Sequence, residues 1–149
     1  MKPVDPIDSI LRVKGRGAWS IAPTATVFEA IREMSDKGVG ALLVMSKDRL
    51  EGIISERDYA RKVILKDRSS KETAVREIMT TEIMTVSPQD TVEQCMRLMT
   101  DHRIRHLPVM DGDKVVGIIS IGDLVNWVIT AHEETIDQLE GYIAGKYPG

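Results

Sequence analysis

Two stretches of this chain put a serine and an aspartate where they can do chemistry. The first is Gly52-Ile53-Ile54-Ser55-Glu56-Arg57-Asp58. The second, 65 residues later, is Gly117-Ile118-Ile119-Ser120-Ile121-Gly122-Asp123. Each reads as an apolar β-branched strand that runs directly into a helix. A helix N-terminus leaves backbone N–H groups unpaired and carries the positive end of the dipole, so an anion can sit there. The serine adds a hydroxyl and the aspartate a carboxylate one turn further on. Ser-x-x-Asp before an apolar helix is also the spacing of a capping box, with serine at the cap and the acid at the third helical position. The two readings are compatible, because a serine that caps its helix can release to a ligand.

The elements around each copy repeat as well. At an offset of 65 residues, Trp19–Val63 lies over Met84–Val128 without a gap. Pro23/Pro88, Thr26/Thr91, Arg32/Arg97, Met34/Met99, Leu42/Leu107 and Val44/Val109 are identical pairs. Each copy predicts a short strand (19–21 or 84–86), then a helix from Thr26 or Thr91. The helix stripe is Val27, Ala30, Ile31, Met34, or Val92, Cys95, Met96, Met99, the spacing of one buried face. A hairpin follows, Ala41–Met45 with Leu50–Ser55, or His106–Met110 with Val115–Ser120. A closing helix begins at Ser55 or Ser120. The order is β-α-β-β-α, twice, which predicts a mixed α/β (α+β) fold of two pseudo-twofold repeats packed through their sheets. The expected domains are residues 1–65 (repeat one with an N-terminal turn), a charged linker 66–74, repeat two over 75–131, and a C-terminal helix and tail over 132–149. In that last segment Ile136, Leu139 and Ile143 stand at helical spacing.

The totals narrow the function classes. A formal charge of −3 over 149 residues gives no global basic field, and the cations of 12–16 and 57–62 are scattered, which argues against nucleic acid. One cysteine, Cys95, excludes a disulfide framework or a Cys-based zinc site. No apolar run approaches the roughly 20 residues of a membrane span. The start, Met1-Lys2-Pro3-Val4-Asp5-Pro6, lacks the apolar core of a signal peptide, so a cytoplasmic setting is expected. No metal is predicted, since His132-Glu133-Glu134 lacks a second histidine at ligand spacing. No nucleophile–base pair accompanies the motif, so an enzyme ranks last.

Tandem β-α-β-β-α units with Thr-Val at the first helix, an apolar strand such as Arg105-His106-Leu107-Pro108-Val109, and the repeated G-I-I-S-x-x-D resemble a pair of CBS domains. This module is named after cystathionine β-synthase and is found in the AMP-activated kinase gamma subunit and inside inosine monophosphate dehydrogenase. The resemblance covers roughly Ile7 to Ile129. It implies a non-enzymatic regulator that binds AMP, ADP, ATP or NAD(H), forms a homodimer and modulates a partner protein. The rival is an interaction scaffold with vestigial pockets.

The resemblance also implies where the ligand sits. Each site combines the Ser and Asp of one repeat with the first and second strands of the other. Site A then joins Ser55, Arg57 and Asp58 to Thr80, Thr81, Ile83, Met84, Arg105, His106 and Pro108. Site B joins Ser120, Gly122 and Asp123 to Lys14, Gly15, Trp19, Gly40 and Ala41. Phosphate needs cations, a hydroxyl or N–H groups, and a ribose diol suits a carboxylate, a two-oxygen acceptor. Site A has three candidate cations, Arg57, Arg105 and His106, and is expected to take AMP, ADP or ATP. Site B has Lys14 alone and is expected to take the less charged end of NAD, or adenosine, or nothing. Arg103 and Arg105 also read as a solvated strand entry, His106 as a core histidine, and Trp19 equally as an adenine stacker or core filler. Cys95, Met34, Met45, Met99 and Met110 read as core.

Overall fold

The computed structural model describes residues 4–15 and 18–131. The expected C-terminal helix over 132–149 lies outside the described residues. The elements in chain order are α1 (Asp8–Lys14), β1 (Ser20–Ile21), α2 (Val27–Lys37), β2 (Ala41–Ser46), β3 (Arg49–Ser55) and α3 (Glu56–Lys62). A 3-10 turn (Ile64–Lys66) precedes α4 (Val75–Ile78), α5 (Val92–His102), β4 (His106–Asp111) and β5 (Lys114–Ser120). A last helix, α6, covers residues 121–131. The mixed α/β order of the repeats is as the sequence predicts.

Local chemistry explains the helix ends. Thr26 and Thr91 each accept a bond from the third helical N–H, and their own backbone N–H groups donate to the side-chain oxygens of Glu29 and Gln94. The capping boxes thus start α2 and α5 at equivalent residues. At the far end, Gly38 (φ 66°) and Arg103 (φ 54°) both adopt the left-handed conformation. That conformation is natural to glycine and unusual for arginine. The buried stripes are Val27, Ala30 and Met34 in α2, and Val92, Cys95 and Met99 in α5.

The chain divides into two compact units. One holds, among the described residues, 18–85 and 108–118. Here β1 pairs parallel with β2, and β2 pairs antiparallel with β3 from Ala41↔Ser55 to Ser46↔Arg49. Its core is Val27, Ala30, Met34, Leu42, Val44, Ile54, Val63, Val75 and Ile78. The other unit holds, among the described residues, 4–15, 86–107 and 119–131, and Ile7, Leu11, Val92, Cys95, Met99, Leu107, Ile119 and Leu124 are buried in it.

Two features differ from the sequence reading. No strand forms over Met84–Val86, the counterpart of β1. In the first repeat Leu43 N donates to Trp19 O at 3.0 Å. The residue aligned with Leu43 is Pro108, which has no N–H to give. Strands β4 and β5 therefore make a two-stranded sheet. The second difference concerns the turn before repeat one. Ile7 N donates to Asp90 O (2.8 Å), Asp8 N to Pro88 O (3.0 Å) and, in return, Val92 N to Asp5 O (3.0 Å). The turn is thus bonded to the start of α5, in repeat two. The turn before repeat two does the converse, with Val75 N on Ala25 O (2.8 Å), Arg76 N on Pro23 O (3.0 Å) and Val27 N on Thr73 O (2.8 Å).

Cys95 is fully buried, and burial, with Asp90 adding to it, pushes its thiol up to about 12 from 9.0. A folded state that holds this proton more tightly keeps its stability below pH 9.0 and loses it as the pH rises toward 12. A thiol reagent such as Ellman's reagent at pH 8 should therefore label Cys95 only as fast as the chain unfolds, and at once in denaturant.

Candidate functional site

The site of the first repeat is built where β3 hands over to α3. Ser55 caps α3, its hydroxyl accepting from Asp58 N (3.2 Å) and donating to Asp58 Oδ2 (3.1 Å). Asp58 Oδ2 also accepts from Ser55 N at 3.0 Å. The other carboxylate oxygen faces Lys62 Nζ at 3.0 Å and receives the Thr80 hydroxyl at 3.4 Å. Lys62 Nζ donates as well to Ile78 O at 2.9 Å. Thr80 is brought there by backbone pairing: Ile53 N donates to Thr80 O (3.0 Å) and Thr80 N to Ile53 O (2.9 Å).

Gly52 makes that approach possible. A Cβ at this position would lie 2.8 Å from Met79 Sδ and 2.9 Å from Thr80 O. The glycine that opens the motif is thus a steric requirement for seating residues 79–80 on β3.

The second repeat repeats the cap. Ser120 Oγ accepts from Asp123 N (3.1 Å), and Asp123 Oδ2 accepts from Ser120 N (2.9 Å). Its cation is Lys14, from the last turn of α1, with Nζ 2.7 Å from Asp123 Oδ2. Capping chemistry is therefore present in both copies. With seven residues, α3 has a short dipole, so the side chains around Asp58 carry more weight than the helix terminus.

The remaining candidates fall as follows. Ser55, Asp58 and Thr80 come together, as do Lys14, Ser120 and Asp123. Gly40 and Ala41 share a unit with Ser55: Glu56 N donates to Gly40 O at 3.1 Å, and Ala41 pairs with Ser55. Arg105 and His106 share a unit with Ser120, and Ile121 N donates to Arg105 O at 2.8 Å. Arg57 and His106 are half-buried, Arg105 is exposed and Pro108 is buried. Thr81 and Ile83 line a cleft of about 860 Å³ with Leu50, Met110 and the turns near Lys47 and Gly112. Met84 is half-buried. Gly15, at φ 98°, ends α1 with its N–H on Leu11 O at 2.8 Å. Gly122 has no steric need to be glycine, since a Cβ would meet Ser120 Oγ at an ordinary 3.6 Å. Trp19 is 50% exposed with Lys37 Nζ 4.3 Å from its ring centre, which overturns the core reading. Lys62 was not among the sequence candidates. Its signal was the i, i+4 spacing from Asp58, which puts the two side chains on one helix face.

No group of three or more His, Cys, Asp or Glu among the described residues is placed to hold a metal ion. No helix among them is long and apolar enough to cross a membrane.

This duplicated architecture is that of a known module. A CBS domain family model matches residues 15–65 and 75–130. The chain belongs to the CBS domain family, as a tandem pair. It is 43% identical over 150 residues to the CBS domain-containing protein CBSX3, mitochondrial, of Arabidopsis thaliana, covering 95% of this chain and 73% of that protein. Among solved structures, a protein with CBS domains from Burkholderia ambifaria superimposes with a TM-score of 0.81 at 50% identity, over 84% of this chain and 94% of that one. The CBS domain pair of protein MJ0100, in complex with 5′-methylthioadenosine and S-adenosyl-L-methionine, has a TM-score of 0.74 at 23% identity, over 84% of this chain and 96% of its own. At that identity the likeness is one of fold.

Gly52→Ala should cost about 1–3 kcal/mol, the usual penalty of overpacking, and lower the melting temperature. It should also free Thr80 N from Ile53 O, seen as faster amide exchange at Thr80.

Proposed function

We infer that this chain is a non-enzymatic regulatory module that binds an adenine nucleotide, AMP, ADP, ATP or NAD(H), and passes the binding event to a partner protein. One observation carries the reading: in both repeats the motif aspartate stands beside a serine hydroxyl and a lysine ammonium. A carboxylate accepts from both hydroxyls of a ribose diol, and an ammonium and a hydroxyl suit a phosphate. The first site is assigned to Ser55, Asp58 and Thr80, and the second to Ser120, Asp123 and Lys14. Arg57, Arg105 and His106 are assigned as further phosphate cations. A homodimer is the proposed assembly. Ile64 and Ile129, aligned in the two repeats, are 59% and 49% exposed, which gives a partner or a second copy one apolar contact on each repeat.

A second reading has its own support. Both capping boxes are complete, so the serines and aspartates serve the fold without any ligand. On that reading the protein is an interaction scaffold. Thermal shift with AMP, ATP, NADH and S-adenosylmethionine separates the two, since a scaffold shifts with none of them.

Calorimetric titration with AMP tests the assignment of sites. Asp58→Asn retains one acceptor oxygen for the cap and removes the second charged acceptor. It should weaken AMP binding by about 10–100-fold, the worth of one or two charge-assisted bonds. Asp123→Asn should matter less. Loss of AMP binding in Asp123→Asn with Asp58→Asn unaffected would reverse the assignment.

A further inference from the structure

Two lysines that do not align reach equivalent carboxylates. Lys62 lies in α3, four residues after Asp58. The residue aligned with it is Trp127, whose indole N–H goes instead to Asp5 at 3.2 Å. The second repeat takes its cation from α1, where Lys14 Nζ meets Asp123 Oδ2 at 2.7 Å. Each motif aspartate thus holds an ammonium, supplied by different elements. Side chains of Lys62 and Lys14 are 44% and 32% exposed, and ion pairs so placed contribute little to stability. A pairing reached by two routes for so little stability suggests a role in what the carboxylate binds.

The acceptor capacity of Asp58 makes the role specific. A carboxylate offers about four lone-pair directions. Ser55 N, Ser55 Oγ, Lys62 Nζ and Thr80 Oγ already point at them. A ribose diol brings two more donors, so some must yield. Ser55 N is backbone and part of the α3 cap. The Thr80 hydroxyl makes the longest contact, at 3.4 Å, and Lys62 is the one charged partner of the four, on a flexible four-carbon stem that can swing to another anion.

We propose that Lys62 is the specificity residue of the Asp58 site: it leaves the carboxylate when a ribose diol takes it and pairs with the ligand's phosphate, so that the site selects nucleotides over nucleosides. The proposal rests on the nucleotide reading above. A nucleoside displaces the ammonium and gives it no anion in return. A nucleotide exchanges one charge-assisted partner for another. The same movement takes Lys62 off Ile78 O, the last carbonyl of α4, so ligand identity is felt at that turn as well.

Titration of the full chain with AMP and with adenosine tests this. Lys62→Met should reduce the AMP-over-adenosine affinity ratio by about tenfold or more, the loss of one charge-assisted bond. Adenosine should bind as well or better, because its competitor for Asp58 is gone. Lys62→Arg should restore most of the ratio. Lys62→Gln repeats the measurement with a polar side chain should the methionine variant fold poorly. An unchanged ratio, or an equal loss for both ligands, overturns the proposal while leaving the nucleotide reading intact. Failure of the unaltered chain to bind either ligand overturns the nucleotide reading itself.

Discussion

The reciprocal backbone bonds between Ile53 and Thr80 are the constraint on which the first repeat's site depends. They seat the end of the interrepeat segment along β3 and deliver the Thr80 hydroxyl to Asp58. They form only because Gly52 lets Met79 and the Thr80 carbonyl come closer than any side chain would permit. A residue with no side chain thereby decides which side chains meet several residues away. Its cost in backbone entropy is offset by two backbone bonds and the packing of α4 against the core.

Ser55 and Ser120 have to satisfy two demands at once. Each caps a helix, and on the proposed function each also stands beside the carboxylate that would hold a ribose. Under that proposal the double use couples the cap to whatever the carboxylate binds. Anything that draws on the carboxylate also loosens the start of a helix. A ligand shifts such an equilibrium only by its difference in affinity for the two arrangements, so a cap that is modest in energy is easily biased.

The fold was legible because the repeat is long and its signals agree. Thr26 with Glu29, and Thr91 with Gln94, announce both helix starts, and the buried stripes follow the predicted spacing. The site was legible in part. Ser-x-x-Asp is local, so Ser55 with Asp58 and Ser120 with Asp123 could be read directly. Lys62 was legible in principle from its spacing but was passed over among other surface charges. The partners of the turns at Ile7 and Val75 were not legible, because the bonds join backbone atoms about 80 or 50 residues apart and backbone atoms leave no residue-type signal. Trp19 was ambiguous because a large ring suits either a core or a surface, and only the position of Lys37 decides.

Pro108 has a consequence beyond the missing rung. An exposed row of backbone donors on a strand invites pairing with another chain, and natural sheets block that edge. The first repeat covers its edge with β1. The second sets Pro108 in the middle of β4, buried and with no N–H for a further strand to use. The two halves thus treat the same position differently, one filling it with a strand and the other removing the donor a strand there would need.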